Sequence, residues 1–436
     1  MRPVIHTMIA GGLVAACVAV AGPAWATPKT VCPKNCQFTS IQAAIAAASN
    51  GDTITIGAGK YIENVVVDKQ VTLQGSGDGT VIYPAISNPV CAPGSLCGGA
   101  ASNIILVQSD NVTITNMRLD GDNPALTSGM VAGKADLDAR NGIITNHNLG
   151  VYNNLTVSKV KISNVYLRGI YASSGGTFNF NNNTIDNVQA DPASIAMFNF
   201  GGSGVMADNK VTNANDAISA NWSTGTQFLG NDVSKSGSGV HTDNNGGFGG
   251  VADMIQDNTV HDCKIDGYGI FVFAPYVSAT VDANSVSGCY VGLAAFGSQV
   301  SAQGPTFSNN DVKGSGAKTT DPTGTYGAYL TTDLLSFDFG DLTATLTDNS
   351  FEHFGTGVFV TQTSPTFGDP VGGQATVTAS GNSFNGNKTG ANGGVGTSVN
   401  AENNWWGCKQ GPNMGGGCDT AIGTVDFTPW LTKKPK

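Results

Sequence analysis

The segment "GVHTDN" sets His241 and Asp243 two residues apart. In an extended strand successive side chains alternate between faces, so both point to the same side. An imidazole beside a carboxylate equips a site for general acid–base chemistry, and a second carboxylate extends the range to glycosidic bonds. Asp216 in "ANDAI" is the candidate second carboxylate, and Asn221 is expected as a neighbour on the same face. His261-Asp262 repeats the pairing but equally suits a solvated turn, and Lys264 is a candidate base of another type. Whether these groups meet depends on the elements that carry them.

Those elements repeat. Asn followed two places later by an apolar residue recurs at Asn183, Asn209, Asn231, Asn258, Asn284, Asn310, Asn349, Asn382 and Asn404, at intervals of 26, 22, 27, 26, 26, 39, 33 and 22. An apolar residue stands three places before most of them, and a Gly-Φ-x-Φ strand (Φ apolar) follows several nine to twelve places on. Short alternating segments at a period of 20 to 30 residues spell a solenoid. Alternation excludes helical repeats, and no Leu-rich consensus is present. The expected fold is an all-β parallel β-helix of about a dozen coils, with like positions stacked about 4.8 Å apart. Asn at one place in every coil can pass amide hydrogen bonds up the stack.

The residue between the two apolar positions of Gly-Φ-x-Φ points outward. Stacking therefore predicts an outer row of Tyr171, Ser219, His241, Phe271, Ala294, Tyr329 and Phe359. A neighbouring row holds Phe198, Asn221, Asp243, Phe273, Phe296 and Thr331. Aromatic rings in line suit stacking against sugars, so Tyr171, Phe198, Asn221, Phe271, Phe273 and Tyr329 are the candidate substrate-binding residues. The alternative is that loops such as 187–194 and 313–326 fold over the rings as a second small core. Asp208, Asp257 and Asp348 offer oxygen ligands for Ca²⁺, or else are turn residues; no other metal ligand set is expected.

Both ends of a stack need covers. Thr39 and Gln42 stand in capping-box spacing before an amphipathic helix expected over Ile41–Ala48. Trp405, Trp406, Phe427 and Trp430 are expected to close the far end within a cap spanning 404–430. The chain opens with Arg2, an apolar run from Met8 to Val20, and "AWA" at Ala24–Ala26, which reads as an export signal cut after Ala26. A lipoprotein signal with acylation at Cys17 is the alternative. Residues 27–436 then form one domain, secreted, periplasmic or at the cell surface. The other eight cysteines suit disulfides: Cys32 with Cys36, Cys91 with Cys97, Cys263 with Cys289, and Cys408 with Cys418. Cys263 and Cys289 lie one coil apart, at a Cα spacing a disulfide can bridge. A formal charge of −10 excludes nucleic acid as a natural partner, and no second apolar run is long enough to span a membrane.

"IQAAIAAASNGDTITIGAGKYIENVVVDKQVTLQGSGDGTVI" (Ile41–Ile82), the Asn repeats and "NNWWG…GPN…VDFTPWL" resemble the pectin-lyase-like right-handed parallel β-helix proteins. The resemblance covers nearly the whole mature chain and implies a right-handed coil. It carries less for function, since this fold hosts lyases, hydrolases, esterases, epimerases and plain binders. The catalytic motifs of pectinesterases, polygalacturonases and alginate epimerases are absent, and only Arg118, Arg140 and Arg168 follow the signal. The expectation is an exported, monomeric protein that binds a polysaccharide or cell-surface glycan and cleaves it as a lyase or glycoside hydrolase, with His241, Asp243 and Asp216 as catalytic groups. A non-catalytic adhesion or structural protein stays open. So does a protein like the periplasmic β-helix factor of copper-site assembly in nitrous oxide reductase.

Overall fold

The computed structural model describes residues 28–435 except 92, 245–249, 274–277, 298–303, 333–340 and 363–372. The signal segment and Cys17 lie outside the described residues. Successive coils each contribute short strands to long parallel ladders. One ladder runs through thirteen strands, from Val65–Val67 to Ala421–Gly423. The other strands form two further ladders with a joint sheet assignment. Among the described residues the one antiparallel pair is Val131–Ala132 with Ala135–Asp136.

Period-2 alternation turns every second side chain inward, and the register stacks these into columns. Phe180, Met206, Phe228, Ile255, Val281, Phe307, Leu346 and Ala379 form one column. Ile185, Val211, Val233, Val260, Val286, Val312, Phe351, Phe384 and Trp406 form another. All are buried. The core is thus a long apolar cylinder in which each layer touches only its neighbours.

Between these columns runs the Asn ladder. From Asn183 to Asn382, each backbone N–H and each side-chain Nδ2 donates to Oδ1 of the next Asn at 2.8–3.0 Å. Each Nδ2 also reaches a carbonyl of the preceding coil, as Asn258 does to Phe228 O at 2.9 Å. The residue before each rung lies in the left-handed region, among them Asn182, Asp208, Gly230, Asp257, Ala283 and Asp348. This accounts for Asp208, Asp257 and Asp348, which hold the tight turn. Gly230 separates the first two, and Asn309 and Gly381 flank the third, so these carboxylates do not converge on a cation. No group of three His, Cys, Asp or Glu fit to hold a metal occurs among the described residues.

Helix α1 spans Ile41–Ala47, with Ala48 as its C-cap and Ile41, Ala44 and Ile45 buried against the first coil. The expected capping box does not form. Ser40 is the N-cap, and Glu63 from the coil below accepts the Ile41 and Gln42 amides at 2.9 and 3.0 Å. The Gln42 side chain instead pairs with the Val66 backbone. At the other end Trp406 lies buried on Phe384, with ring centroids 4.7 Å apart, and Phe427 and Trp430 pack against the core. Trp405 alternates to the outside and does not join this plug. All four expected disulfides are present, and Cys263–Cys289 joins successive coils at a Cα distance of 4.8 Å.

Cutting the ladder strands buried donors and acceptors on both sides. Asn258→Leu is expected to lower unfolding free energy by about 3 kcal/mol, measured by urea denaturation. An exposed control, Asn179→Leu, should change it little.

Candidate functional site

The strands Asp216–Ser223 and Ser238–Asn244 lie side by side in the thirteen-stranded ladder, with Ser219 level with His241 and Asn221 level with Asp243. This brings the three expected catalytic groups together. His241 Nδ1 stands 3.1 Å from Asp216 Oδ2, an ion-pair contact without hydrogen-bond alignment. His241 Nε2 is 2.9 Å from Ser219 Oγ, whose own proton goes to Asn221 Oδ1 at 2.7 Å. With that proton committed, Nε2 must donate. A second proton, on Nδ1 facing Asp216, would make the ring an imidazolium. Burial opposes that charge, but the Asp216 and Asp243 carboxylates outweigh it and raise the imidazole pKa. Ser238 Oγ donates to Asp216 Oδ1 at 2.7 Å, and the His241 ring stacks on Phe271 at 4.5 Å.

Beside this cluster the ladder breaks register between Asn221 and Ser223. The extra residue is Trp222, at φ 54°, a left-handed conformation costly for a bulky side chain. The bulge turns the indole outward and aims its backbone N–H at Asp243 Oδ1. Beneath lies Asp253, 1% exposed, which accepts from the Ser223 and Thr242 hydroxyls and from the Thr226 amide at 2.7 Å. Burial pushes the Asp243 carboxyl up to about 7; Asp253 adds to the rise, while His241 and the Trp222 amide oppose it. The Asp243 proton is therefore held near neutrality. Sequence reasoning missed Trp222 and Asp253, because simple alternation points Trp222 inward and leaves Asp253 in a loop.

The expected open aromatic face is corrected. Tyr171 and Phe198 stack at 4.5 Å and are buried with Leu96 and Ile195. Phe198 pairs directly with Tyr171, so it belongs to the first outer row, and Phe200 takes its place in the second. Tyr329, 2% exposed, and Phe296 are buried in a cluster with Tyr290 and Tyr326, against which Phe271 and Phe273 pack half-buried. Loop residues close over both clusters, as expected of the alternative reading. Tyr290 donates to Asp321 at 2.5 Å, Tyr166 donates to Asp191 at 2.9 Å, and Arg168 donates to the Ala193 carbonyl while lying over Phe198. Among the described residues the exposed rings are Phe200, 40% exposed, and Trp222, 49% exposed. They line a cleft of about 530 Å³ together with Ser174, Thr224 and glycines 175, 201 and 250.

The other candidates lie apart from this cluster. His261 pairs with Asp262 and Asp232 on a separate strand, Thr259–His261. Lys264 donates to Gln189, Ala214 and Asn215, and burial lowers its amine pKa.

A carboxyl that holds its proton more tightly when folded adds stability below its unfolded pKa and loses it as pH rises through the folded value. For Asp243 that loss spans roughly pH 4 to 7. Asp243→Asn mimics the protonated form, so its urea midpoint relative to the parent should rise between pH 4 and pH 8. A gap independent of pH would mean that the carboxyl titrates normally.

The family described as right-handed β-helix region matches residues 141–312. A comparison with curated protein sequences finds no match. Among solved structures, the catalytic domain of an α-1,3-glucanase in complex with tetrasaccharides superposes at TM-score 0.55 and 12% identity, over 93% of this chain and 70% of that one. The α-1,3-glucanase catalytic unit of Streptomyces thermodiastaticus gives 0.53 and 15%, over 91% and 66%. The mannuronan C-5 epimerase A-module of Azotobacter vinelandii gives 0.48 and 16%, over 89% and 94%. With parallel ladders, inward columns and that match over residues 141–312, the chain folds as a right-handed parallel β-helix.

Proposed function

We propose that this is an exported polysaccharide-binding protein that cleaves its glycan by acid–base hydrolysis. The observation that carries the reading is the grouping of Asp243 with the His241–Asp216 pair on adjacent strands, where Asp243 accepts the amide of Trp222 at the edge of an aromatic cleft. Asp243 is the proton donor to the glycosidic oxygen as the bond to the anomeric carbon breaks. Asp216 accepts the proton of the water that adds to that carbon. His241 and Ser238 hold Asp216 in place. With Nδ1 turned to Asp216 and Nε2 to Ser219, His241 offers no free nitrogen for abstracting a carbon-bound proton, which favours hydrolysis over β-elimination. The likeness to the glucanases reaches the fold alone, so the reading rests on this chain's own residues.

Four disulfides support an oxidising compartment, and no described helix is long and apolar enough to cross a membrane. The same disulfides consume all the described cysteines, which counts against a copper-site assembly role.

The test is release of new reducing ends from a panel of neutral and acidic polysaccharides, with and without Ca²⁺. Release from one polymer, reduced about 10²–10⁴-fold in Asp243→Asn, is expected. Release untouched by that change would relocate the active site, and no release from any polymer would leave a binding or adhesion protein.

A further inference from the structure

We propose that the cleft between Phe200 and Trp222 is a stacking subsite for an uncharged pyranose ring, presented by a bulge that Asp253 pins from inside the coil. The proposal rests on the glycan reading above and names the class of sugar. Phe200 is level with Asn221 in the next coil, so the indole that follows Asn221 stands one coil from the phenyl ring. Both rings are among the few large apolar side chains left open. Aromatic faces of this kind match the apolar C–H face of a pyranose, and tyrosine or tryptophan rings bury large area at low entropic cost.

The remaining lining narrows the choice of ligand. Gly175 and Gly201 both adopt left-handed φ angles, and with Gly250 they leave backbone rather than side chain along the floor. Ser174 and Thr224 supply hydroxyls for sugar hydroxyls. No described lining residue is charged. An ionisable group, Asp243, is tied to the cleft through the Trp222 amide. A uronate would meet no cation here and would be repelled by a chain of net charge −10.

The pin is the second observation. Ser223, the residue after the indole, spends its hydroxyl on the buried Asp253, and Thr242, between His241 and Asp243, does the same. One carboxyl thus clamps both strands where the register slips, and it offsets the cost of a left-handed tryptophan.

Binding separates this proposal from the catalytic one. In an Asp243→Asn background, which keeps the acceptor for the Trp222 amide and stops turnover, neutral gluco-, manno- and xylo-hexaoses and acidic oligogalacturonate are titrated by calorimetry and tryptophan fluorescence. A neutral hexaose should bind, about tenfold more weakly after Trp222→Ala or Phe200→Ala, with Trp222→Phe restoring much of the loss. Ser223→Ala should weaken binding while leaving the fold intact by circular dichroism. Binding of only the acidic oligomer, or affinities unchanged by both ring deletions, would overturn the subsite. Unchanged affinity in Ser223→Ala would overturn the pin. Absence of reducing-end release in the parent would sink the catalytic reading without touching either result.

Discussion

From Asn183 to Asn382 each rung of the Asn ladder makes three donations at once: two to the rung ahead, and a third to a strand of the coil behind. Backbone buried at a sharp corner has no water to satisfy it, and an amide of this length and polarity meets the need. The spacing of neighbouring coils, the inward columns and the Cys263–Cys289 bond all inherit their registry from that corner. A slip by one residue would carry each apolar column to the solvent side, so the ladder and the core enforce the same solution.

Chemistry begins where that registry is violated. At Trp222 one residue too many is accommodated, and the core locally trades hydrocarbon for Asp253, Ser223, Thr242 and Thr226. A buried carboxyl is tolerated only with its donors in place. Its presence also bears on the outward side of the same strand, where it helps Asp243 keep a proton. The polar interior and the open cleft are therefore two faces of one local departure from the repeat. His241 and Asp216, in contrast, sit on undistorted backbone and owe their contact to ordinary coil-to-coil stacking.

How much of this could be read in advance follows from the period of each feature. Rungs, columns and the inter-coil disulfide recur, so Asn183 to Asn404 and Cys263–Cys289 announce themselves in the chain. His241 above Ser219 and Asp243 above Asn221 follow from the same arithmetic. Exposure does not, because it depends on what folds back: Tyr171 and Tyr329 point outward as expected and are still buried, by Leu96 in one case and by Tyr290 and Tyr326 in the other. The row of Phe198 is hidden in the chain because Ala196 stands at the position level with Gly169, so no Gly-Φ-x-Φ start marks its coil. Trp222 was invisible because a bulge inverts the alternation on which the reading relies.

From Asn183 to Asn382 every Asn corner is two residues long, from Asn181 to Thr184 as from Ser380 to Ser383. The coils nevertheless differ in length from 22 to 39 residues. Most of that difference is absorbed at the other two corners, where the step from Phe200 to Ser203 is short and that from Thr361 to Ala375 is long. Length at those corners is thus uncoupled from registry. Such a molecule can acquire, lengthen or exchange whole loops above its cleft one coil at a time, and so change what it recognises without renegotiating how it folds.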